Sequence, residues 1–283
     1  MKNSLTRDQT VAALRTLGLP AGAIVFVHSS LSSIGYVEGG AETMVDAFLD
    51  TLSPQGTLVV PTFTFAHGNG DKPVFQLACD PSEMGRLTEV TRTRPGARRS
   101  CHLLHSVAAL GAHAEEITAN HGPSAWAADG PFWKLYELDA HILLLGVPYL
   151  RCTFFHVVEQ LVQVPYRRWR EVEARVRHRD GSQRPLLTLT YSPKPGFAGN
   201  DFNKLGALLE ERGLVQVGTL GNAVVRLFRA KDALEVGLAQ YRKDPLLFVM
   251  TADRCTSLRD GVLTAEMHNE KSVLDPALIY RQD

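Results

Sequence analysis

Two short apolar runs, Ala23-Ile24-Val25-Phe26-Val27-His28 and Thr57-Leu58-Val59-Val60-Pro61, constrain this chain more than any other feature. Each reads as a buried strand. Between them lie a polar turn, Ser29-Ser30-Leu31-Ser32-Ser33-Ile34-Gly35, and a stretch from Gly39-Gly40 to Leu52 that places Val45, Phe48, Leu49 and Leu52 on one side of a helix. Ser53-Pro54-Gln55-Gly56 ends that helix. Strand, helix and strand within about forty residues make a βαβ unit, which implies a parallel sheet at the core.

The remaining segments fill in around this unit. Thr6-Arg7-Asp8-Gln9 has the form of a helix start, with Val11, Leu14 and Leu17 as its apolar stripe. Residues 62–83 are rich in Gly, Pro and Asp and read as a long loop, a type that usually carries function. A helix follows near Met84 to Arg92, then a strand at Val107 to Gly111 and short helices near 113–121 and 130–138. His141-Ile142-Leu143-Leu144-Leu145-Gly146-Val147 is another buried strand. After Pro165 the pattern alternates through Val172, Ala174 and Val176, turns at Asp180-Gly181, and returns through Leu187, Leu189 and Tyr191 as an antiparallel hairpin. A helix over 202–213, short strands over 215–228 and an amphipathic helix over 230–243 come next, and the last forty residues show no readable pattern. The expectation is an α/β fold: a mixed central sheet flanked by helices, with an antiparallel hairpin insertion around residues 170–191. We expect a single domain over 1–283 with a smaller β-rich subregion at 166–228.

Thirty basic and thirty acidic side chains leave no net charge, so composition points away from a nucleic-acid partner or an anionic membrane. Basic residues cluster locally at Arg92–Arg99 and Arg167–Arg179, a feature that suits a phosphorylated small ligand. The apolar runs fall short of the roughly 18–20 residues that span a bilayer, and the N-terminus lacks the pattern of a signal peptide. Cys79, Cys101, Cys152 and Cys255 lack CxxC spacing, as expected of reduced thiols in a cytoplasmic protein.

Chemistry is expected just past the carboxyl end of a strand. There, His156 and Glu159 stand three residues apart on one helix face. A carboxylate beside an imidazole fixes its tautomer and stabilises its charged form, so His156 is expected to be a proton acceptor with a raised pKa. Zinc is not expected, because the residue after Glu159 is Gln160 and neither HExxH nor HxxEH is formed. The serine turn with Gly39-Gly40 ahead of a helix is a candidate phosphate cradle. GxxxxGK[ST] and GxGxxG are both absent. Arg99, Ser100, His105 and Ser106 belong to a loop where two histidines and two serines crowd ahead of a strand, as binding loops on a rigid scaffold do.

Three stretches together resemble one family. They are His28 to Gly35 with Gly39-Gly40 and Pro61-Thr62-Phe63-Thr64; Arg99-Ser100 through His105 to Gly111; and Leu144 to Val147 with Thr153, His156, Glu159 and Val164-Pro165-Tyr166-Arg167. Their order and spacing are similar to the aminoglycoside 3-N-acetyltransferases, a family distinct from the GNAT acetyltransferases, whose [RQ]xxGx[GA] motif is absent. The resemblance implies acetyl transfer from acetyl-CoA to the 3-amino group of a 2-deoxystreptamine antibiotic, with His156 as base and Glu159 as its partner. It also implies that Ser29, Ser30, Leu31, Ser32 and Ser33 contact CoA, with the 98–106 loop as a further wall. The chain has His102-Leu103 where many members have His-Pro.

An amine is mostly protonated at neutral pH, and a carboxylate-backed imidazole can take its proton. Donors near Ser29–Ser33 or Ser106 suit the tetrahedral oxyanion. A polycationic acceptor calls for carboxylates, and Asp71, Asp80, Glu159 and Asp201 are the candidates. The alternatives are an N-acyltransferase acting on another amine, a hydrolase using Ser29, Ser106 or Cys101, and a ligand-binding protein without turnover. The hydrolase lacks the GxSxG elbow. A homodimer is left open as the assembly.

Overall fold

The computed structural model describes residues 4–119, 122–195, 197 and 199–250. Of the last forty residues, those after Met250, Cys255 among them, lie outside the described residues. The elements are, in chain order, α1 (Arg7–Thr16), β1 (Ile24–Ser29), α2 (Leu31–Ile34), α3 (Gly40–Leu52), β2 (Thr57–Pro61), α4 (Phe65–Asn69) and β3 (Val74–Gln76). These are followed by α5 (Arg86–Thr93), β4 (Arg98–Arg99), β5 (Val107–Gly111), α6 (Ala114–Thr118), α7 (Pro131–Glu137) and β6 (His141–Leu145). Two 3₁₀ turns then lead into α8 (His156–Val162), β7 (Arg167–Arg177), β8 (Gln183–Pro193), α9 (Asn203–Glu211), β9 (Gln216–Leu220), β10 (Ala223–Arg229) and α10 (Ala230–Tyr241).

Seven strands form one sheet in the order β4-β5-β2-β1-β6-β10-β9. The three central strands run parallel, whereas β5 joins β2 and β10 joins β6 antiparallel, so the sheet is mixed as expected. Alternate residues of β1 serve opposite cores: Ile24 and Phe26 pack with α7 to α10, and Val25 and Val27 pack with α1, α3 and α5. A strand buried on both faces has no polar side to show, which accounts for its unbroken apolar run. The start of α1 is held by a capping box, in which the Thr6 hydroxyl accepts from the Gln9 amide and the Gln9 side chain accepts from Thr6 N–H.

The expected hairpin is present as β7 and β8, and it pairs outside the main sheet. It forms a second, three-stranded sheet in the order β3-β7-β8. The stretch 166–228 is therefore divided: β7 and β8 belong to the small sheet, while β9 and β10 complete the edge of the large one. The loop expected over 62–83 is also partly ordered, since it contains α4 and the short β3 that runs parallel to Arg175–Arg177.

From β1 the chain crosses to β2 on one side, and β6 lies on the other. This is a switch point, where clefts open past the carboxyl ends of the strands. Ser29 pairs with Leu145 at those ends, and Ser30 N–H donates to Leu145 O at 2.9 Å. Gly146 follows at φ 64°, and a Cβ there would collide with the Ser33 side chain. Glycine thus lets the serine turn lie directly on the end of β6. Gly146→Ala should cost on the order of 1–3 kcal/mol, read as a lower urea midpoint at unchanged slope.

Candidate active site

His156 is the first residue of α8, presented by the turns that follow β6. Its Nδ1 lies 2.5 Å from Glu159 Oε2, the pair expected from the spacing. Glu159 is fully buried. Its other oxygen, Oε1, accepts from Tyr166 Oη at 3.0 Å and from Asn200 Nδ2 at 2.5 Å. Arg167 Nε stands 2.9 Å from Oε2, with its N–H not aligned on it, so the contact is one of charge more than a directed hydrogen bond. The same guanidinium donates from Nη1 to Tyr191 O at 2.7 Å and from Nη2 to Asn200 Oδ1 at 2.5 Å.

Burial opposes ionisation of Glu159, but Arg167, His156 and the Asn200 amide outweigh it and hold the carboxyl down at about 2. An ionised carboxylate only accepts, so His156 Nδ1 must donate, and the lone pair of the neutral ring lies on Nε2. The raised pKa expected for His156 is not found. Burial lowers it, Arg167 lowers it further, and Glu159 opposes both without prevailing. A carboxylate whose charge is shared with a guanidinium retains a proton on its histidine less firmly than a lone one. Glu159 is enclosed, and protein groups engage both of its oxygens.

His156 lines a cleft of about 420 Å³ at the switch point, together with His28, Ser29, His105, Thr153 and Arg151. Trp126 and Phe202 pack edge-on against the His156 ring, with centroids 5.2 and 4.9 Å away. His28 Nε2 accepts from Thr153 N–H at 3.2 Å, which puts its proton on Nδ1, a buried atom without a partner among the described residues. Burial and the neighbouring His156 push the His28 pKa down to about 3, so this ring is neutral as well. His105 is likewise held well below its ordinary value by burial and by His102 and His156. Three neutral imidazoles therefore face one cleft.

Of the other candidate residues, Ser29 and His105 reach the cleft. Ser30, Leu31, Ser32 and Ser33 form the turn beside it, with Ser33 Oγ donating to Ser30 O at 2.7 Å. Gly39 and Gly40 lead into α3 with positive φ and do not line the cleft. Arg99, Ser100 and Ser106 turn inward. Arg99 donates to Thr62 O and Asp80 O, both at 2.6 Å, Ser100 Oγ accepts from Val107 N–H, and Ser106 Oγ donates to Thr62 O. The basic residues 92–99 do not make one basic face either, because Arg92 pairs with Glu89 and Arg94 with Asp46.

The acidic candidates also lie elsewhere. Asp71 is exposed, Asp80 accepts from Gln76 N–H and lies 2.8 Å from His67 Nε2, and Asp201 is buried. No carboxylate is among the described residues that line the cleft. His28, Arg167 and Asn200 are contributors that the sequence did not single out. His28 and Arg167 stand within the family-like motifs, whereas Asn200 carries no local signal. Among the described residues no group of three His, Cys, Asp or Glu side chains could hold a metal, and no helix is long and apolar enough to cross a membrane.

The family model for aminoglycoside 3-N-acetyltransferases matches residues 26–242, a span that holds the cleft, the His156–Glu159 pair and both sheets save the first two residues of β1. The chain belongs to the aminoglycoside 3-N-acetyltransferase family. Aminoglycoside N(3)-acetyltransferase VII of Streptomyces paromomycinus is 31% identical over 267 residues, covering 83% of this chain and 91% of its own. A crystal structure of AAC-IIIb with CoASH shares the fold at a TM-score of 0.75 and 27% identity, covering 85% of this chain and 97% of that one. A variant of AAC(3)-IVa in complex with a gentamicin superposes at 0.74 with 28% identity, covering 93% and 99%. The protein is thus an acyltransferase of the aminoglycoside N(3)-acetyltransferase type, acting by acyl transfer to nitrogen.

Replacing Glu159 by Gln leaves the Arg167 charge buried without its counter-ion. Glu159→Gln should lose on the order of 3–5 kcal/mol of stability, measured by denaturant titration at neutral pH.

Proposed function

We propose that this acetyltransferase moves an acetyl group from acetyl-CoA to the 3-amino group of a 2-deoxystreptamine aminoglycoside, by direct attack of the amine on the thioester. The observation that carries this reading is His156, a neutral base oriented by a buried carboxylate and set in the wall of the cleft. The amine nitrogen bonds to the acyl carbon, its proton passes to His156 Nε2, and the C–S bond breaks to release CoA, whose sulfur takes up the proton. Positioning both substrates in one cleft supplies much of the acceleration. Ser29, which lines the cleft, is the serine to which this reading gives the oxyanion. Ser106 is not, because its hydrogen is directed to Thr62 O. A CoA co-substrate and an aminoglycoside acceptor are supported by the relatives solved with CoASH and with a gentamicin. A cytoplasmic location fits the same reading, since Cys79, Cys101 and Cys152 are free.

One observation favours a second acceptor class. The cleft's described lining combines Phe63, Phe65, Met84, Leu150 and Phe202 with a single charged side chain, that of the exposed Arg151. A polycation finds no carboxylate in that lining, whereas an amine carried on a largely apolar body would be accommodated.

CoA-thiol release with a panel of aminoglycosides and of monoamines decides between them. Turnover on 2-deoxystreptamine antibiotics supports the first reading, and turnover confined to apolar amines supports the second. His156→Ala should reduce turnover by roughly 10²–10⁴-fold while acetyl-CoA binding by calorimetry stays as in the parent. Equal turnover in the variant would refute the base assignment. Because His156 titrates below the ordinary 6.5, the acid limb that it gives kcat/KM should lie below that value, separate from the slope that the acceptor amine's own ionisation gives at higher pH.

A further inference from the structure

We propose that Arg167 is the positioning residue of this site: its guanidinium fixes Asn200 and offsets the Glu159 charge, so that His156 presents a free Nε2 to the amine. The inference rests on His156 being the base. Arg167 is buried at the start of β7, on the hairpin that otherwise lies apart from the chemistry. Three of its contacts reach three other segments: Glu159 on α8, Tyr191 O on β8, and Asn200 ahead of α9.

The hydrogen-bond directions define its role. Arg167 can only donate, so Asn200 Oδ1 must be the atom it meets, and Asn200 Nδ2 is then the atom left for Glu159 Oε1. A flipped amide would set Oδ1 against a carboxylate oxygen. Arg167 therefore orients Asn200, Asn200 and Tyr166 hold Oε1, and Oε2 is left to His156 Nδ1. A lysine offers charge without this planar fork.

The second part of the role is electrostatic. The charged and titratable groups around His156 are Glu159 on its own helix, Arg167 on β7 with Tyr166 just before it, His28 at the end of β1 and His105 ahead of β5. Both of these histidines are neutral and burial keeps the Tyr166 phenol protonated. Among the described residues, Glu159 and Arg167 are thus the full charges that act on the ring. Burial, the largest influence that lowers the His156 pKa, would remain without the guanidinium, but Glu159 would then act on the ring unopposed by charge and raise it.

The test follows the carbon-bound ring protons of His156 by NMR between about pH 5 and 8, in the parent, Arg167→Met and Arg167→Lys. The pH profile of kcat/KM for thiol release is recorded in parallel. Arg167→Met should move both the titration and the acid limb up by about one unit, so that kcat/KM falls more between neutral pH and pH 6 than it does in the parent, by a factor of roughly three or more. Arg167→Lys should leave the titration in place yet lower kcat by roughly ten- to a hundredfold at unchanged KM, as misalignment does. A titration in Arg167→Met that coincides with the parent's overturns the proposal, as does one in Arg167→Lys that moves equally far. Should Arg167→Met fail to fold, Asn200→Ser serves: kcat should fall with the titration unmoved, and a parental kcat overturns the proposal. The titration needs no acceptor, so a wrong assignment of the reaction would show as absent thiol release with the NMR shifts intact.

Discussion

A carboxylate without access to water has to be answered by protein groups, and Glu159 is such a carboxylate. Its enclosure draws together a histidine, a tyrosine, an arginine and an asparagine from separate stretches of the chain. The desolvation of an unanswered charge would amount to several kcal/mol. This is why the hairpin has to dock against α8, and why the loop ahead of α9 has to come in beside it. His156 takes its tautomer from that arrangement, while burial first, and Arg167 set against Glu159 second, hold its pKa below the ordinary value. A histidine–carboxylate pair alone would give the first property and work against the second.

The cleft has an equally simple origin. β1 and β6 are parallel neighbours whose chains leave in different directions, so a cleft opens past their carboxyl ends. Ser29 emerges from one end and the His156 segment from beyond the other. The neutrality of the three imidazoles around this opening follows from burial. A cleft with neutral walls takes up an amine in the form that can attack more readily than one lined with carboxylates, which would favour the ammonium.

Legibility in the sequence followed the range of the interactions. β1, β2 and β6 could be read because strands buried on both faces are continuously apolar, and the hairpin because Asp180-Gly181 interrupts an alternating pattern. His156 and Glu159 could be paired because helical spacing is local. The three-residue strand β3 could not, since its partner Arg175–Arg177 comes about a hundred positions later and Val74-Phe75-Gln76 has no pattern of its own. Crowded polar residues misled in another way. Arg99, Ser100 and Ser106 look like ligand contacts in the sequence, yet they fasten the β2–β5 edge from within. Arg167 was hidden among basic neighbours with which it shares no environment, and Asn200 stands in a Pro/Gly loop that gives no hint of an inward side chain.

The span of chain enclosed by this network sets an order of assembly. α8 is local and can form early, whereas Asn200 is 41 residues from Glu159 along the chain. Closing such loops is entropically costly and comes after local structure. A folding chain therefore has His156 and Glu159 near one another before the carboxylate has lost its water. In that interval the two residues are solvated, and the carboxylate is enclosed only when the hairpin and the loop ahead of α9 arrive. The reverse holds for local opening: release of the Asn200 segment takes the Asn200 amide from Glu159 Oε1 and involves no strand of the seven-stranded sheet.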